Sequence, residues 1–192
     1  TEIIRYPKCS TLELYEIPKG VTSICSGAFD ETGNLKTVIM PDTLKNLHSH
    51  IFDESSLYLN SENWEDDVFY VGNSLIKVDS ETEAEHIVVR EGTEIIASDA
   101  FIHCQNIKSI TIPDSVKTIG NSVFVGCYSL EKLYIGSGVE SVGTELFTGE
   151  IEWNPCISLE SIEVSEDNAH FVSVDGVLFN KDKTVLVQCP NN

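Results

Sequence analysis

Apolar residues recur along this chain at a fixed spacing, with polar residues between them. Over the most regular part of the sequence the spacing is 23 positions, and it links residues of similar type. The matched residues are Ile107 and Leu130, Ile110 and Leu133, Ile112 and Ile135, Val116 and Val139, Ile119 and Val142, Gly120 and Gly143, and Phe124 and Phe147. An apolar skeleton that repeats with a period in the low twenties indicates a solenoid of stacked repeats.

The repeat at residues 107–129 predicts the path of the chain within one rung of such a solenoid. Ile110 and Ile112 alternate with polar residues, as in a short strand with one buried face. Pro113 then ends the strand, because proline donates no ladder hydrogen bond. Gly120 is expected to permit a tight bend.

The segment that completes the repeat is short. Residues 121–127 have room for only one turn of α-helix or 3₁₀ helix, so strands dominate the predicted fold. A single repeat cannot bury its apolar stripe alone, whereas stacked repeats bury it between like neighbours. We therefore predict one domain over residues 1–192, a right-handed, curved, β-rich solenoid of short parallel strands and short helical or 3₁₀ turns. The regular repeats begin at Leu12, Leu35, about Ala84, Ile107, Leu130 and Leu159.

Two segments interrupt the regular spacing. Residues 53–83 form the longer one, and residues 149–156 form a shorter one within the fifth repeat. The sequence VGNSLIKVD from Val71 resembles VDGVLFNKD from Val174, and both predict two short strands joined by a tight turn. Residues 1–11 resemble only the last part of the second unit, so we expect the chain to be a fragment of a longer protein with more repeats upstream.

Charge excludes two classes of partner. The formal net charge is −19 at pH 7, so phosphate backbones and anionic lipid surfaces are repelled. We therefore expect no nucleic-acid binding, and because no apolar run is long enough to span a bilayer we expect no membrane insertion in this segment. The densest acidic run, residues 65–67, lacks the ligand spacing of an EF-hand, which favours a role in solubility over calcium binding.

Three of the six cysteines share one position in the repeat. Cys104, Cys127 and Cys156 each precede by three residues the apolar residue that opens the next repeat. Stacked rungs would place them in a column of small buried side chains, a role that suits free cysteine. A disulfide between adjacent rungs remains an alternative, because sequence does not supply the Cα separation that it requires.

Metal and catalytic signatures are weak. Cys25 and His48 occupy the same position in consecutive repeats, but they supply only two ligands where a structural zinc takes four. The sequence has no nucleophile elbow, zinc-protease motif, phosphate-binding loop or dinucleotide fingerprint. We therefore predict no metal, no cofactor and no enzymatic activity.

The repeat pattern resembles that of a known family. The stretch IKSITIPDSVKTIGNSVFVGCYS fits LxxIxIPxxVxxIGxxAFxxCxx, and this is similar to the BspA-type leucine-rich repeat, the 23-residue bacterial class. The resemblance covers nearly all of the chain, although Cys25, His48 and Ala97 stand where glycine is expected. It implies a leucine-rich repeat solenoid in a secreted or cell-surface bacterial protein, with links to adhesion and to binding of host or neighbouring-cell proteins. It provides no catalytic residues to transfer.

The resemblance also implies that binding uses the concave sheet formed by the first strand of each repeat. The outward residues of these strands are Leu14 and Glu16, Thr37 and Ile39, His86 and Val88, Ser109 and Thr111, Lys132 and Tyr134, and Ser161 and Glu163. A ligand-binding face carries clustered aromatic and charged anchors. Lys132 and Tyr134 on one rung, with Glu163 on the next and His86 nearby, are the best candidates, and the alternative is a solvated sheet face without a ligand.

The two interruptions are the second candidate. Trp64 lies with Phe69 and Tyr70 in the longer one, and Trp153 lies in the shorter one. Insertions in solenoids map to loops on one side, often a binding side. An aromatic residue there is a candidate anchor for a sugar or a protein, or else a plug that covers the edge of the core.

The function most consistent with these observations is a non-catalytic extracellular binding or adhesion module that recognises a protein or glycan. Its partner would lie on a host cell or a neighbouring cell. The alternative is a structural spacer, an acidic stalk of a cell-surface protein with no ligand of its own. An exposed patch of aromatic and charged anchors distinguishes the first function from the second.

Overall fold

The computed structural model describes residues 1–147 and 156–190. Each of the first five regular repeats forms one rung with a longer first strand and a two-residue second strand, and the sixth has only the first strand. The rungs fall into two stacks. The N-terminal stack contains β1 (Glu2–Ile3), β2 (Leu14–Glu16), β3 (Ser23–Ile24), β4 (Thr37–Ile39) and β5 (Asn46–Leu47). The first strands β2 and β4 pair in parallel, and β1, β3 and β5 form a second parallel sheet.

The longer interruption has secondary structure of its own. It contains α1 (Ser56–Leu59), a 3₁₀ turn (Ser61–Asn63), β6 (Trp64–Glu65), β7 (Val68–Val71) and β8 (Ser74–Val78). We call residues 56–78 the hairpin segment, because β6, β7 and β8 pair antiparallel in sequence order. The strands turn tightly at Asp66 and Asp67 and again at Gly72 and Asn73. The antiparallel strands predicted from VGNSLIKVD are confirmed.

The C-terminal stack is the regular part of the solenoid. It contains β9 (His86–Val88), β10 (Ile95–Ile96), β11 (Ser109–Ile112), β12 (Thr118–Ile119), β13 (Lys132–Ile135), β14 (Ser141–Val142) and β15 (Ser161–Val164). Its first strands form the parallel sheet β9-β11-β13-β15, and its second strands continue from the hairpin segment in the order β8-β10-β12-β14. Ser109 lies opposite Lys132, and Thr111 lies opposite Tyr134. The sequence period therefore sets the strand register directly.

A second hairpin covers the last rung. It consists of β16 (Phe171–Val174) and β17 (Val177–Asn180), and β18 (Leu186–Gln188) pairs with β17. The turn residues Asp175 and Gly176 both have positive φ, at 53° and 80°, as a two-residue hairpin turn requires. The hairpin predicted from VDGVLFNKD is confirmed.

The side of each rung after the second strand is built from turns rather than helix. Residues 121–126 form turns, so the helical or 3₁₀ turn expected there is absent. The residue before each Ala-Phe-like pair has a left-handed backbone, with φ between 53° and 66° at Gly27, His50, Asp99, Ser122 and Glu145. The residue two places after the Phe is left-handed in four rungs, with φ between 56° and 76° at Glu31, Glu54, His103 and Gly126.

These left-handed positions explain why no helix forms there. A helix needs consecutive right-handed residues. In these rungs left-handed residues interrupt the right-handed ones, and backbone N–H groups therefore point toward the next rung. The Phe29 amide donates to the Ile51 carbonyl at 2.8 Å, and the Phe124 amide donates to the Leu146 carbonyl at 2.8 Å. Inter-rung hydrogen bonds thus offset a left-handed cost of about 1 kcal/mol per residue.

Gly120 has a different role from the expected tight bend. Its φ is not positive, but a Cβ at this position would lie 2.4 Å from the Ser98 backbone nitrogen of the preceding rung. A Cβ at Gly143 would likewise lie 2.4 Å from the Gly120 carbonyl oxygen. The glycines permit close approach between neighbouring rungs.

Stacked aromatic rings mark two separate cores. In the N-terminal core the ring of Tyr6 stacks on Phe29 at 5.3 Å, and Phe29 stacks on Phe52 at 5.1 Å between centroids. In the C-terminal core Phe124 lies 5.6 Å from Phe101 and 5.2 Å from Phe147.

The hairpin segment forms the wall between the two cores. Alternate side chains of β7 and β8 face opposite ways, so both faces of this pair are apolar and buried. The residues packed in the C-terminal core are Val68, Leu75 and Val78, and those packed in the N-terminal core are Phe69, Val71 and Ile76. The expectation of a loop on one side of the solenoid is therefore wrong for these strands, which are structural.

The cysteine column predicted from the sequence is confirmed. Cys104, Cys127 and Cys156 are buried free thiols. The Cys127 thiol donates to the Phe101 carbonyl oxygen at 3.1 Å. Burial, with a contribution from the Asp79 carboxylate, raises the pKa of Cys104 to about 12. The Cys104 thiol is therefore a neutral packing group at physiological pH.

Candidate binding surfaces

The outward face of β9, β11, β13 and β15 is the first candidate, and we call it the first-strand surface. Strand alternation places every second side chain in solvent, while Ile110, Leu133 and Ile162 are buried beneath it. The surface residues are His86, Val88, Ser109, Thr111, Lys132, Tyr134, Ser161 and Glu163. The outward orientation expected for these side chains is present in the structure.

Two columns of side chains run across this surface. Strand register aligns Val88, Thr111, Tyr134 and Glu163 in one column, at a strand spacing of about 4.8 Å. The other column contains His86, Ser109, Lys132 and Ser161. The His86 Nδ1 and Ser109 Oγ atoms are 2.8 Å apart. The structure thus brings together the four residues that the sequence had selected on these strands.

Exposure within the columns is unusual for apolar groups. Val88 is 73% exposed and Tyr134 is 37% exposed. Lys132 and Glu163 are also exposed, and neither forms an ion pair with another residue in the described part of the chain. Val88 and Tyr134 lie in one column with Thr111 between them, so the surface carries two exposed apolar side chains together with charges of both signs.

The first-strand surface does not extend unbroken into the N-terminal stack. Leu14 and Ile39 are exposed on β2 and β4, which form a separate two-stranded sheet. The hairpin segment separates β4 from β9 in the sequence and divides the core beneath them.

Arg90 connects the hairpin segment to the C-terminal stack, a role that sequence reasoning missed. It stands at the position that Pro18, Pro41 and Pro113 occupy in three other repeats. Its guanidinium carbon lies 4.1 Å from the centroid of the Tyr70 ring, its Nη2 donates to the Gly72 carbonyl at 2.8 Å, and its Nη1 pairs with Glu65. Burial raises the pKa of Tyr70, and Arg90 opposes that shift. An arginine at a position that holds proline in three other repeats was the signal that could have indicated this role.

The predicted insert residues have different positions. Phe69 is fully buried, whereas Trp64 is half-buried at the surface of the hairpin segment. Trp64 stacks on Phe69 with 5.4 Å between centroids, and its Nε1 donates to the Tyr58 carbonyl at 2.8 Å. This packing agrees with the interpretation of an aromatic that covers the core edge. Trp153 lies outside the described residues.

A cleft of about 530 Å³ opens beside Trp64, and we call it the hairpin cleft. Its lining is formed by Tyr58, Leu59, Ser61, Trp64, Asp66, Asp67 and Asp79. The acidic run that the sequence analysis assigned to solubility thus contributes two carboxylates to an aromatic cleft.

A polar groove follows the second strands. Two adjoining cavities of about 280 Å³ and 440 Å³ share Asn46, Thr118 and Ser141 in their linings, which span the second to the sixth repeat. His48 also lines this groove, but among residues 1–147 and 156–190 no group of three or more potential ligands could hold a metal. Attention to the first strands alone left this groove unpredicted.

The helices of the described residues are too short to cross a membrane.

Comparisons with known proteins agree with the repeat architecture. The family model for the BspA type leucine-rich repeat region matches in 6 copies, over residues 5–83 and 78–175. No curated protein matches the chain.

Two solved structures are similar over most of this chain. The pneumococcal vaccine antigen PcpA is 27% identical with a TM-score of 0.52, and the match covers 99% of this chain and 42% of PcpA. A leucine-rich cell surface protein from Faecalibacterium prausnitzii A2-165 is 25% identical with a TM-score of 0.51, covering 93% of this chain and 46% of that protein. The chain spans less than half the length of either relative. From its repeats, its solenoid and the matching family model, the chain belongs to the BspA type leucine-rich repeat family.

Proposed function

We propose that this chain is a non-catalytic binding module of an extracellular or cell-surface protein, and that it engages a protein partner through the first-strand surface. The observation that carries the proposal is the grouping of Lys132, Tyr134 and Glu163 on the adjacent strands β13 and β15, with Val88 in the same column two strands from Tyr134. Exposed apolar and charged groups on a rigid sheet bind at low entropic cost, because the backbone beneath them is already ordered.

The surroundings of this surface support binding rather than catalysis. The recurring inward positions are occupied by packing residues such as Ile110, Leu133 and Phe124, which leaves the outward side chains for recognition. The relatives support the location, since one is described as a vaccine antigen and another as a cell surface protein. A glycan partner is the second ligand class to be tested, with Tyr134 as the stacking residue.

A spacer function has its own support. Three ion pairs join residues 23 positions apart on neighbouring rungs: Lys36 with Glu13, Lys108 with Glu85, and Lys117 with Glu94. Exposed pairs of this kind suit the surface of a stalk that has no ligand of its own, although each contributes little stability. A spacer requires no exposed apolar residue on the first strands, so binding assays on that surface separate the two functions.

The test is a binding screen of the chain against matrix proteins and mucin glycans. For a partner found in this way, Tyr134→Ala is expected to weaken affinity about tenfold or more, since aromatic anchors dominate binding energy. Leu186→Ala is the matched control, because Leu186 is exposed on β18 at the end of the chain. Equal affinity of Tyr134→Ala and the unaltered chain would remove the first-strand surface as the binding site.

A further inference from the structure

The hairpin cleft presents an apolar surface whose polar groups are already used. Leu59 is 70% exposed at its edge. One face of the Trp64 ring packs on Phe69, and the indole nitrogen donates to the Tyr58 carbonyl. Trp64 therefore offers a ligand its remaining ring surface rather than a hydrogen-bond donor.

This apolar surface is held rigidly. The Ser55 hydroxyl is buried and accepts from the Tyr58 amide at 3.2 Å, which caps α1. The Asn63 side chain donates to the Leu57 carbonyl at 2.8 Å, which ties the 3₁₀ turn to α1. A partner would therefore meet a preorganised surface, and preorganisation reduces the entropic cost of binding.

Three carboxylates surround the apolar part of the cleft. Asp67 accepts from the Thr82 hydroxyl at 2.7 Å, and Asp79 accepts from the Glu81 amide at 3.0 Å. Neither of these residues, nor Asp66, forms an ion pair with another residue of the described ranges. Asp67 and Asp79 thus accept hydrogen bonds from neutral donors, and the nearby Lys77 ammonium lies over the Tyr58 ring rather than against a carboxylate of the cleft.

One contact within the hairpin segment indicates which chemical group the cleft would bind. The Lys77 ammonium lies 5.5 Å from the centroid of the Tyr58 ring, so an aromatic ring of this cleft already accepts a cation. We propose that the hairpin cleft docks a basic segment of a partner protein. An arginine or lysine of that segment would meet Asp66, Asp67 and Asp79, and a neighbouring apolar side chain would pack on Trp64 and Leu59.

Charge complementarity favours a basic protein segment over a neutral glycan. A sugar could stack on Trp64, but it would leave three carboxylates uncompensated and would not use the aliphatic surface of Leu59. The proposal concerns a different surface from Tyr134 and holds whether or not the first-strand surface binds.

The experiment follows the fluorescence of Trp64 directly. The chain has two tryptophans, so Trp153→Phe leaves Trp64 as the single indole. This variant is titrated with a ten-residue peptide of alternating arginine and leucine, with the same peptide carrying glutamate for arginine, and with maltotriose. A salt-sensitive change in Trp64 emission is expected for the arginine peptide alone.

A charge-matched pair of variants separates cleft binding from general attraction to an acidic protein. Asp66→Asn with Asp67→Asn removes two charges from the cleft, and asparagine suits their left-handed backbone, at φ of 47° and 65°. Glu166→Gln with Asp167→Asn removes two exposed charges near the last rung. Asp79→Asn provides a second cleft variant outside the turn.

The cleft variants should bind the arginine peptide about tenfold more weakly, while the control double variant stays within about twofold of the parent. Leu59→Ala should cost a further few-fold through lost apolar contact. Equal losses in the two double variants, unchanged affinity in the cleft variants, or an emission change of similar size with maltotriose would each overturn the proposal.

Discussion

The C-terminal stack and the hairpin segment bury apolar residues in opposite ways. In the stack each first strand has one apolar face, so Leu133 is buried while Tyr134 lies in solvent. In the hairpin segment neighbouring residues such as Val68 and Phe69 are both buried, because they face different cores. The difference teaches that the hairpin segment connects the two stacks of the solenoid, while the C-terminal stack exposes a surface.

The largest expected effect tests the regular side of this comparison. Phe124→Ala removes a fully buried ring between Phe101 and Phe147 and should lower the free energy of unfolding by about 3–5 kcal/mol. Chemical denaturation measures the loss. Phe69→Ala should cost a similar amount but should also shift Trp64 emission, since Trp64 stacks on Phe69. A loss below about 1 kcal/mol for Phe124→Ala would show that the stacked rings of Phe101, Phe124 and Phe147 are not the centre of the core.

Gly120→Ala tests how tightly the rungs of the stack approach each other. The new Cβ would meet the Ser98 backbone at 2.4 Å, so we expect a loss of about 2–3 kcal/mol from displaced backbone. Gly33→Ala is the control, because a Cβ there meets nothing within 4 Å. Thermal melts of the two variants compare them, and equal melting temperatures would refute close approach as the reason for glycine.

Arg90→Ala tests the junction between the two regions. It removes a cation–π contact with Tyr70 and a hydrogen bond to Gly72, so we expect a loss of about 1–2 kcal/mol. Lys108→Ala removes only an exposed ion pair with Glu85 and should change stability by less than about 1 kcal/mol. The measurement is denaturant unfolding, combined with limited proteolysis of the hairpin segment. If Arg90→Ala and Lys108→Ala lower the free energy of unfolding by a similar small amount, Arg90 does not stabilise the junction between the hairpin segment and the C-terminal stack.

The smallest effect has the opposite sign. Thr93 occupies the buried position of Val116 and Val139, next to the hairpin segment, and its hydroxyl has no hydrogen-bond partner in the described structure. Thr93→Val should therefore stabilise the chain by about 1 kcal/mol, since it removes an unsatisfied polar group at constant shape. A rise in melting temperature of a few degrees is expected. A lower melting temperature would show that the hydroxyl is satisfied in solution.

Sequence predicted the stack better than the hairpin segment for a physical reason. A 23-residue period fixes which residues lie opposite each other, so the register of Ser109 with Lys132, the outward Tyr134 and the column at Cys127 could be predicted. Those predictions require only that equivalent residues of successive repeats occupy equivalent positions in their rungs.

The hairpin segment does not stack on another copy of itself, so no sequence period sets its contacts. The strands themselves were recognisable from their turn residues, but the run Val68–Val71 does not state which core each side chain faces. The position of Trp64 depends on Phe69 and Tyr58, and the anchor at Arg90 depends on Tyr70, contacts between residues that no period relates. The polar groove likewise depends on how the N-terminal and C-terminal stacks pack against each other.

The two buried faces of β7 and β8 bear on how the chain unfolds. Val68 packs in the C-terminal core and Phe69 in the N-terminal core, and Ile95 of β10 also packs in the N-terminal core. The Ser98 amide donates to the Leu47 carbonyl at 3.0 Å, which joins the two stacks through the backbone as well. Because the two cores share strands, we expect both stacks to unfold in one cooperative transition.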